Sequence, residues 1–401
     1  MLIWRRNLYV LFSAQMLSMV GFSMVLPFLP LYIKELGVGT WGTIEFWSGM
    51  VFSAQAITMM ISAPLWGAVA DRYGRKLMLI RATLGGAVLI ALMGFVNSAE
   101  QLTLLRALQG LVTGTIPAAT ALVASATPRE HSGESIGLLQ TGTWIGVAIG
   151  PLIGGVIGDT FGFRECFWIT GSLLALSGFA TILWVREDFR PAVTDKRQSV
   201  LESFRGLLSA PNMLSLYGVT FLQTTGRMLF FPIAALFVME LMQSASGAAV
   251  ATGLMMGINA VTGSISAVWL GRIGDRIGHL RILLFSLVAS IGLYLPQALV
   301  DATWQLILLQ ALTGFAYGGI LPTIGALMNL QLPAGTQGAT YGLNASITAA
   351  GRSVAPLLAA VFAMWLGVRS VFILAAAIYG LAAIVVLHVA VTKDSPSPPG
   401  Q

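Results

Sequence analysis

Gly67-Ala-Val-Ala-Asp71-Arg72-Tyr73-Gly74-Arg75-Lys76 is a short run of charge set between two long apolar segments. A weaker copy, Gly271-Arg-Ile-Gly-Asp275-Arg276-Ile-Gly278-His279-Leu-Arg281, follows 204 residues later with the same Gly-x3-Asp-Arg-x-Gly spacing. The register extends further. Gln101-Leu-Thr-Leu-Leu-Arg106-Ala-Leu-Gln109-Gly110 aligns with Gln305-Leu-Ile-Leu-Leu-Gln310-Ala-Leu-Thr-Gly314 at the same offset. After one inserted residue, Gly146-x3-Gly150-Pro151-x2-Gly154-Gly155 aligns with Gly351-x3-Ala355-Pro356-x2-Ala359-Ala360. Three matches in order point to two copies of one membrane unit.

Of 401 residues, 56% are hydrophobic and 9% charged, where soluble domains carry about 25% charged residues. Lipid must therefore be the solvent for most of the chain. Against a ruler of roughly 20 apolar residues per crossing, twelve segments emerge: 8–33, 46–69, 77–96, 102–125, 136–158, 166–185, 213–239, 249–270, 282–300, 304–330, 340–364 and 370–391. The expected fold is an all-α membrane protein with twelve transmembrane helices in two six-helix pseudo-symmetric halves. The halves, 1–185 and 213–391, are joined by a polar cytoplasmic linker at 186–212 and followed by a disordered Pro-rich tail at 392–401. The apolar run after Arg5-Arg6 is too long for a signal peptide and reads as a retained first span.

The formal charge of +6 is a topology signal. With the N-terminus inside, sixteen of the 22 Lys and Arg fall on the cytoplasmic side, and only Lys34, Arg164 and Arg369 lie outside. This asymmetry puts both termini in the cytoplasm and leaves no need for a nucleic-acid partner. Cys166 stands alone, and His131, His279 and His388 show no ligand spacing, so no metal or cofactor is expected.

The chain resembles the major facilitator superfamily, and within it the twelve-helix drug:proton antiporters. The likeness covers nearly everything except the linker and tail. Gly67-x3-Asp71-Arg72-x-Gly74-Arg75-Lys76 is similar to the superfamily's loop between helices 2 and 3. Gly137-x8-Gly146-x3-Gly150-Pro151-x2-Gly154-Gly155 is similar to the antiporter motif of helix 5, and Leu105-Arg106-x2-Gln109-Gly110 to the helix 4 motif. Pro27-Phe-Leu-Pro30-Leu-Tyr and Trp47-Ser-Gly resemble bacterial multidrug exporters. The resemblance implies export of a small amphipathic substrate across the inner membrane by alternating access, driven by protons, in a protein expected to be monomeric. For the loop it implies an ionic latch, carried by Gly67, Asp71, Arg72, Gly74, Arg75 and Lys76 with Gly271, Asp275 and Arg276. Plain positive-inside charge is the alternative. For Gly146, Gly150, Pro151, Gly154 and Gly155 it implies a bent, closely packed seal against ion leak, beside the alternative of ordinary helix packing.

Three arginines fall inside spans: Arg106, Arg227 and Arg352. A guanidinium at that depth costs a few kcal/mol unless paired or watered, so it faces a cavity or bonds backbone carbonyls. Arg352 shares a helical face with Tyr341, Asn344 and Thr348, and Arg227 follows Gln223-Thr224-Thr225. No Asp or Glu lies mid-span; helix 1 offers Gln15, Ser18 and Ser23 instead. The expected lumen adds Met19, Phe22, Gln109, Thr141, Trp144, Phe230, Asn259, Gln310 and Tyr317, a mix suited to broad amphipathic binding. Candidates for the coupling proton are Asp71, Glu134, His131 and Glu45. Arginines without a buried acid favour anionic, zwitterionic or neutral substrates over organic cations. An uncoupled lipid or sugar-type carrier of the same fold stays open, with a membrane-embedded enzyme or sensor as the remote alternative.

Overall fold

A computed structural model describes residues 3–38, 42–128, 131–187, 213–331 and 337–394, without the side chains at 64, 68, 71, 331, 337–342 and 389–394. The repeat is visible in the helix bounds. Span 2 (Ile44–Tyr73) and span 8 (Ala248–Ile277) have 30 residues each, and span 3 (Arg75–Met93) and span 9 (His279–Gln297) have 19 each. Start and end of both pairs are offset by the same 204 residues. A single glycine joins each pair, Gly74 at φ +97° and Gly278 at φ +101°. These are conformations that cost an L side chain steric strain. The last glycine of the repeated motif is thus a one-residue corner between two membrane helices.

Span 5 is Ser132–Thr160, span 6 Phe163–Trp184, span 11 Gln337–Leu366 and span 12 Ser370–Asp394. Four spans are broken. Span 1 is Ile3–Val25 and Leu29–Leu36, span 4 is Ala99–Val112 and Thr115–Ala126, span 7 is Met213–Met228 and Ala234–Met242, and span 10 is Thr303–Gly318 and Ile320–Gln331. Hydropathy predicted them whole. The reason for the difference is proline: Pro27 and Pro30, Pro117, Pro232 and Pro322 stand at or just past the breaks, and each removes a backbone donor and crowds the preceding turn. Eleven of the described helical segments are long and apolar enough to cross a membrane. Span 7 falls short only because its break leaves pieces of 16 and 9 residues.

Chain direction puts the Gly74 and Gly278 corners on one face, here the basic face, and the connections after spans 1, 3, 5, 7, 9 and 11 on the opposite, distal face. Span 1 packs on spans 5 and 6, and span 2 on span 4; across the seam, span 5 meets span 8 and span 2 meets span 11. The cross-seam contacts gather at the distal end. Phe28 and Leu31 bury themselves against Ala235, Leu236 and Ala249. Ser53 Oγ donates to Ser353 O at 2.8 Å, and Lys34 Nζ lies 3.1 Å from Met239 Sδ. Toward the basic face a Cβ added at Gly67, Gly133, Gly137 or Gly325 would meet nothing within 4 Å, and the loop contacts of the described residues there stay within their own half. The molecule is closed distally and open toward the basic face.

That opening revises the expectations for the loops. Gly67 allows no close approach in this state. Arg75 Nη1 donates to Ala121 O at 3.2 Å and Lys76 Nζ to Ile182 O at 3.0 Å, both within their own half. Asp275 pairs with His279 at 3.4 Å in its own loop. Arg72 lies over its neighbour Tyr73. The Asp71 side chain is outside the description, as are the linker from 188 to 212 and the tail from 395 onward.

Candidate functional site: a cavity at the seam

The breaks that proline imposes on spans 1 and 7 shape a cavity of about 170 Å³ between the halves. Leu26 and Pro27 come from the first break and Phe230 and Phe231 from the second; Val147 and Pro151 of span 5 and Met256 of span 8 add apolar wall. Polar groups enter from the other half: Arg227, Asn259, Tyr294, Gln310, Thr313 and Tyr317, with Ser23 opposite. Gln310, Thr313 and Tyr317 are spaced three and four apart, one face of span 10.

Among the described lining residues Arg227 is the only cation, and no acid accompanies it. Its Nη1 donates to the Tyr317 hydroxyl at 3.0 Å, and its guanidinium carbon stands 4.3 Å from the centre of the same ring. Tyr294 stacks on Tyr379 with centroids 5.4 Å apart. Arg352, at mid-depth in span 11, is exposed and lies within electrostatic reach of Arg227 and Tyr317. Arg227 thus brings one guanidinium to the cavity, and Arg352 stands outside its lining, near enough for the two charges to interact.

Arg227, Phe230, Asn259, Gln310, Tyr317 and Pro151 are the expected site residues that meet at this cavity. Arg106 and Gln109 do not join it. They bond each other at 2.8 Å inside the first half, where Arg106 Nε also points at Val51 O, 3.4 Å away. Gln15, Met19 and Gln223 are buried among helices, Phe22 packs on the first-half core, and Thr225 bonds its own helix. Thr141 and Trp144 are exposed on span 5 outside the lining, and Thr141 bonds its own backbone at Gly137 O. Asn344 keeps its Oδ1 buried without a partner, and the Tyr341 side chain is outside the description. Tyr294, Thr313, Met256 and Phe231 were not anticipated. A tyrosine late in span 9 and the three-four spacing of span 10 were the available signals.

The candidate titrating groups stand at the membrane faces. His131 and Glu134 pair at 3.6 Å at the basic end of span 5, and Glu45 sits in the first turn of span 2 at the distal end. Cys166 is buried, with its thiol 3.6 Å from Gly154 O.

The antiporter-like glycines divide their work. Cβ atoms at Gly146, Gly150 and Gly154 would strike span 1 around Met19, Ser23 and Met24. A Cβ at Gly155 would lie 2.7 Å from Ala249 O and 2.9 Å from Val250 Cα across the seam. Gly253 of span 8 answers it by lying against Pro151 O. Two backbones touch here with no side chain between them.

The sequence profile described as Major Facilitator Superfamily matches residues 11–296 and 216–401. Proteins named multidrug resistance protein MdtG from Enterobacter lignolyticus and Salmonella typhimurium are each 38% identical, covering 93% and 94% of this chain and 89% and 93% of their own. Among solved structures, a bacterial homolog of the human lysosomal transporter Spinster, inward-facing and unoccupied, aligns with a TM-score of 0.79 at 16% identity over 99% of both chains. The nucleoside transporter NupG aligns at 0.78 with 14% identity, over 97% of this chain and 99% of its own. With the duplicated loop, the paired halves and the cavity between them, these matches agree: the chain belongs to the Major Facilitator Superfamily, in the branch that holds the multidrug resistance relatives, and is a transporter.

Proposed function

We propose that the protein exports small amphipathic molecules, those with an anionic group foremost, from the bacterial cytoplasm by alternating access. The observation that carries the reading is Arg227 in a seam cavity whose described lining includes no acid, with a second guanidinium, Arg352, close enough to add to its field. An anionic head offsets the desolvation of Arg227, while an organic cation adds like charge beside it at membrane depth. The apolar wall from Leu26, Val147, Phe231 and Met256 suits an aliphatic or aromatic body. The relatives named for multidrug resistance support export of this kind.

In this reading both termini and both charged corners lie in the cytoplasm, and the open basic face is the loading side. Rocking of the halves then closes the Asp71 and Asp275 loops together and parts the distal contacts. Gly67, Arg72, Gly74, Arg75, Lys76, Gly271 and Arg276 surround that latch. One chain encloses the whole cavity, so a monomer is the working unit. The coupling ion is a proton, with Asp71, Glu134, His131 and Glu45 the groups available to carry it.

The test is uptake of matched anionic and cationic dyes into inverted vesicles, with and without an imposed pH gradient. Anion preference that collapses in Arg227→Ala and Arg352→Ala is expected. A cation preference indifferent to both substitutions refutes the substrate class. Export indifferent to the gradient replaces antiport with a differently coupled carrier.

A further inference from the structure

Behind the cavity wall runs a chain of neutral side chains whose direction is set at both ends by groups that can only accept. Gln297, fully buried, donates from Nε2 to Leu293 O at 3.0 Å and to Thr313 Oγ1 at 2.9 Å. Thr313 spends its own proton on Leu309 O. A backbone carbonyl cannot donate, so the Gln297 amide nitrogen faces Leu293 and its Oε1 faces the other way. That oxygen accepts from Gln310 Nε2 at 2.9 Å. Gln310 Oε1 is then turned toward Asn259, whose Nδ2 donates to it at 3.0 Å and to Gln310 O at 2.9 Å. Both protons of the Asn259 amide are used. Among the described residues its Oδ1 has no hydrogen bond, and it is not one of the buried unpartnered atoms, on a residue that lines the cavity.

The cavity thus offers two different readers. At mid-depth Arg227 and Tyr317 donate. Toward the distal gate Asn259 accepts, held by Gln310. Tyr317 and Gln310 are seven residues apart on span 10, a rise of roughly 10 Å. We propose that Asn259 is a specificity residue: its carbonyl oxygen takes a hydroxyl or amino donor carried on the substrate about 10 Å from the anionic end, with Gln297 as the positioning residue that fixes its orientation. The favoured substrate is therefore bipolar, with an acid at one end and a hydrogen-bond donor at the other, lying along the transport axis. In the other half, Arg106 occupies the repeat position of Gln310 and bonds Gln109, and Met93 stands where Gln297 would, so the anchoring amide pair is not repeated there.

This rests on the seam cavity being the substrate site, and the experiment separates the two. Octane-1-sulfonate, 8-hydroxyoctane-1-sulfonate and 2-hydroxyoctane-1-sulfonate compete against export of a fluorescent anionic dye in inverted vesicles. The 8-hydroxy compound is expected to compete about five- to tenfold better than the parent, the range for one neutral hydrogen bond. The 2-hydroxy compound gains nothing. Asn259→Leu and Gln297→Met are expected to erase the gain, bringing the ratio of 8-hydroxy to parent competition to about one in each variant, a ratio that general loss of stability does not move. Equal competition by all three sulfonates in the wild type, or a gain that survives Asn259→Leu, overturns the proposal alone. Dye export unaffected by Arg227→Ala removes the cavity reading and this inference with it. If Gln297→Met does not reach the membrane, Thr313→Val tests the same anchor, and the wild-type ratio already decides the main point.

Discussion

Asp159 Oδ2 accepts a hydrogen bond from Val250 N at 2.9 Å, joining the distal end of span 5 to the first turn of span 8 across the seam. The first backbone N–H groups of a helix have no partner of their own, and a carboxylate there also meets the favourable end of the helix dipole. Opening of the distal side must break this bond. Asp159→Ala is therefore expected to raise the distally open population about two- to fivefold, the worth of one exposed charge at a helix terminus. Spin labels at Asn97 and Asp301, exposed on the distal connections of the two halves, report it as growth of the longer distance. An unchanged distribution would remove Asp159 from the gate.

Beside it, Gly155 is predicted to admit no side chain. The atoms its Cβ would meet are Ala249 O at 2.7 Å and Val250 Cα at 2.9 Å, both backbone and unable to swing aside. Gly155→Ala must then push spans 5 and 8 apart at the distal end. Proton leak into vesicles carrying this variant, followed with an entrapped pH dye, should exceed that of wild type. Gly137→Ala, where a Cβ meets open space, serves as the silent control.

How much of this could be read beforehand depends on whether a feature is local in the chain. The duplicated loop carried the fold, because Gly74 and Gly278 each need a backbone that few residues tolerate and each ends one helix and starts the next. The breaks at spans 1, 4, 7 and 10 were written in Pro27, Pro117, Pro232 and Pro322, but a hydropathy window counts proline as one residue among twenty and ignores the lost donor. The site was legible where polar residues repeat on one helical face, as with Gln310 and Tyr317. Rotation of a helix about its axis decided the rest. Arg106 and Gln15 are polar residues at membrane depth like Arg227, yet they turn into the first half, where Arg106 finds Gln109 and Val51 O.

The signature loop is also tied to the start of the linker. Glu187 places Oε1 2.9 Å from Arg75 N and Oε2 2.9 Å from Lys76 N, capping span 3 with both oxygens. Asn7 meanwhile bonds the backbone of Arg186 from both ends of its amide. Replacing a helix cap costs about 1 kcal/mol. Glu187→Ala is expected to lower the Tm of the purified protein modestly, and Glu187→Gln, which keeps one acceptor, by less. A Tm unchanged in Glu187→Ala would show the cap to be dispensable.

Tyr317→Phe isolates the part of Arg227 recognition that depends on direction. The substitution keeps the ring under the guanidinium, centroid 4.3 Å away, and deletes only the hydroxyl that accepts from Nη1 at 3.0 Å. The cation–π attraction survives, so Arg227 stays in the cavity. Freed of its acceptor, the Nη1 proton becomes available to the substrate, while the guanidinium loses the bond that aims it. A hydrogen bond to a charged group is worth about 1.5–3 kcal/mol. If aim dominates, the half-saturating concentration for anionic dye export rises by about tenfold or more, with the maximal rate near wild type. If the released donor dominates, the half-saturating concentration falls. Arg227→Lys separates the two, because an ammonium retains the charge but lacks the planar fork that Tyr317 orients. Loss of affinity in both variants assigns Tyr317 to orientation. Loss in Arg227→Lys with a gain in Tyr317→Phe makes it a competitor that the substrate displaces.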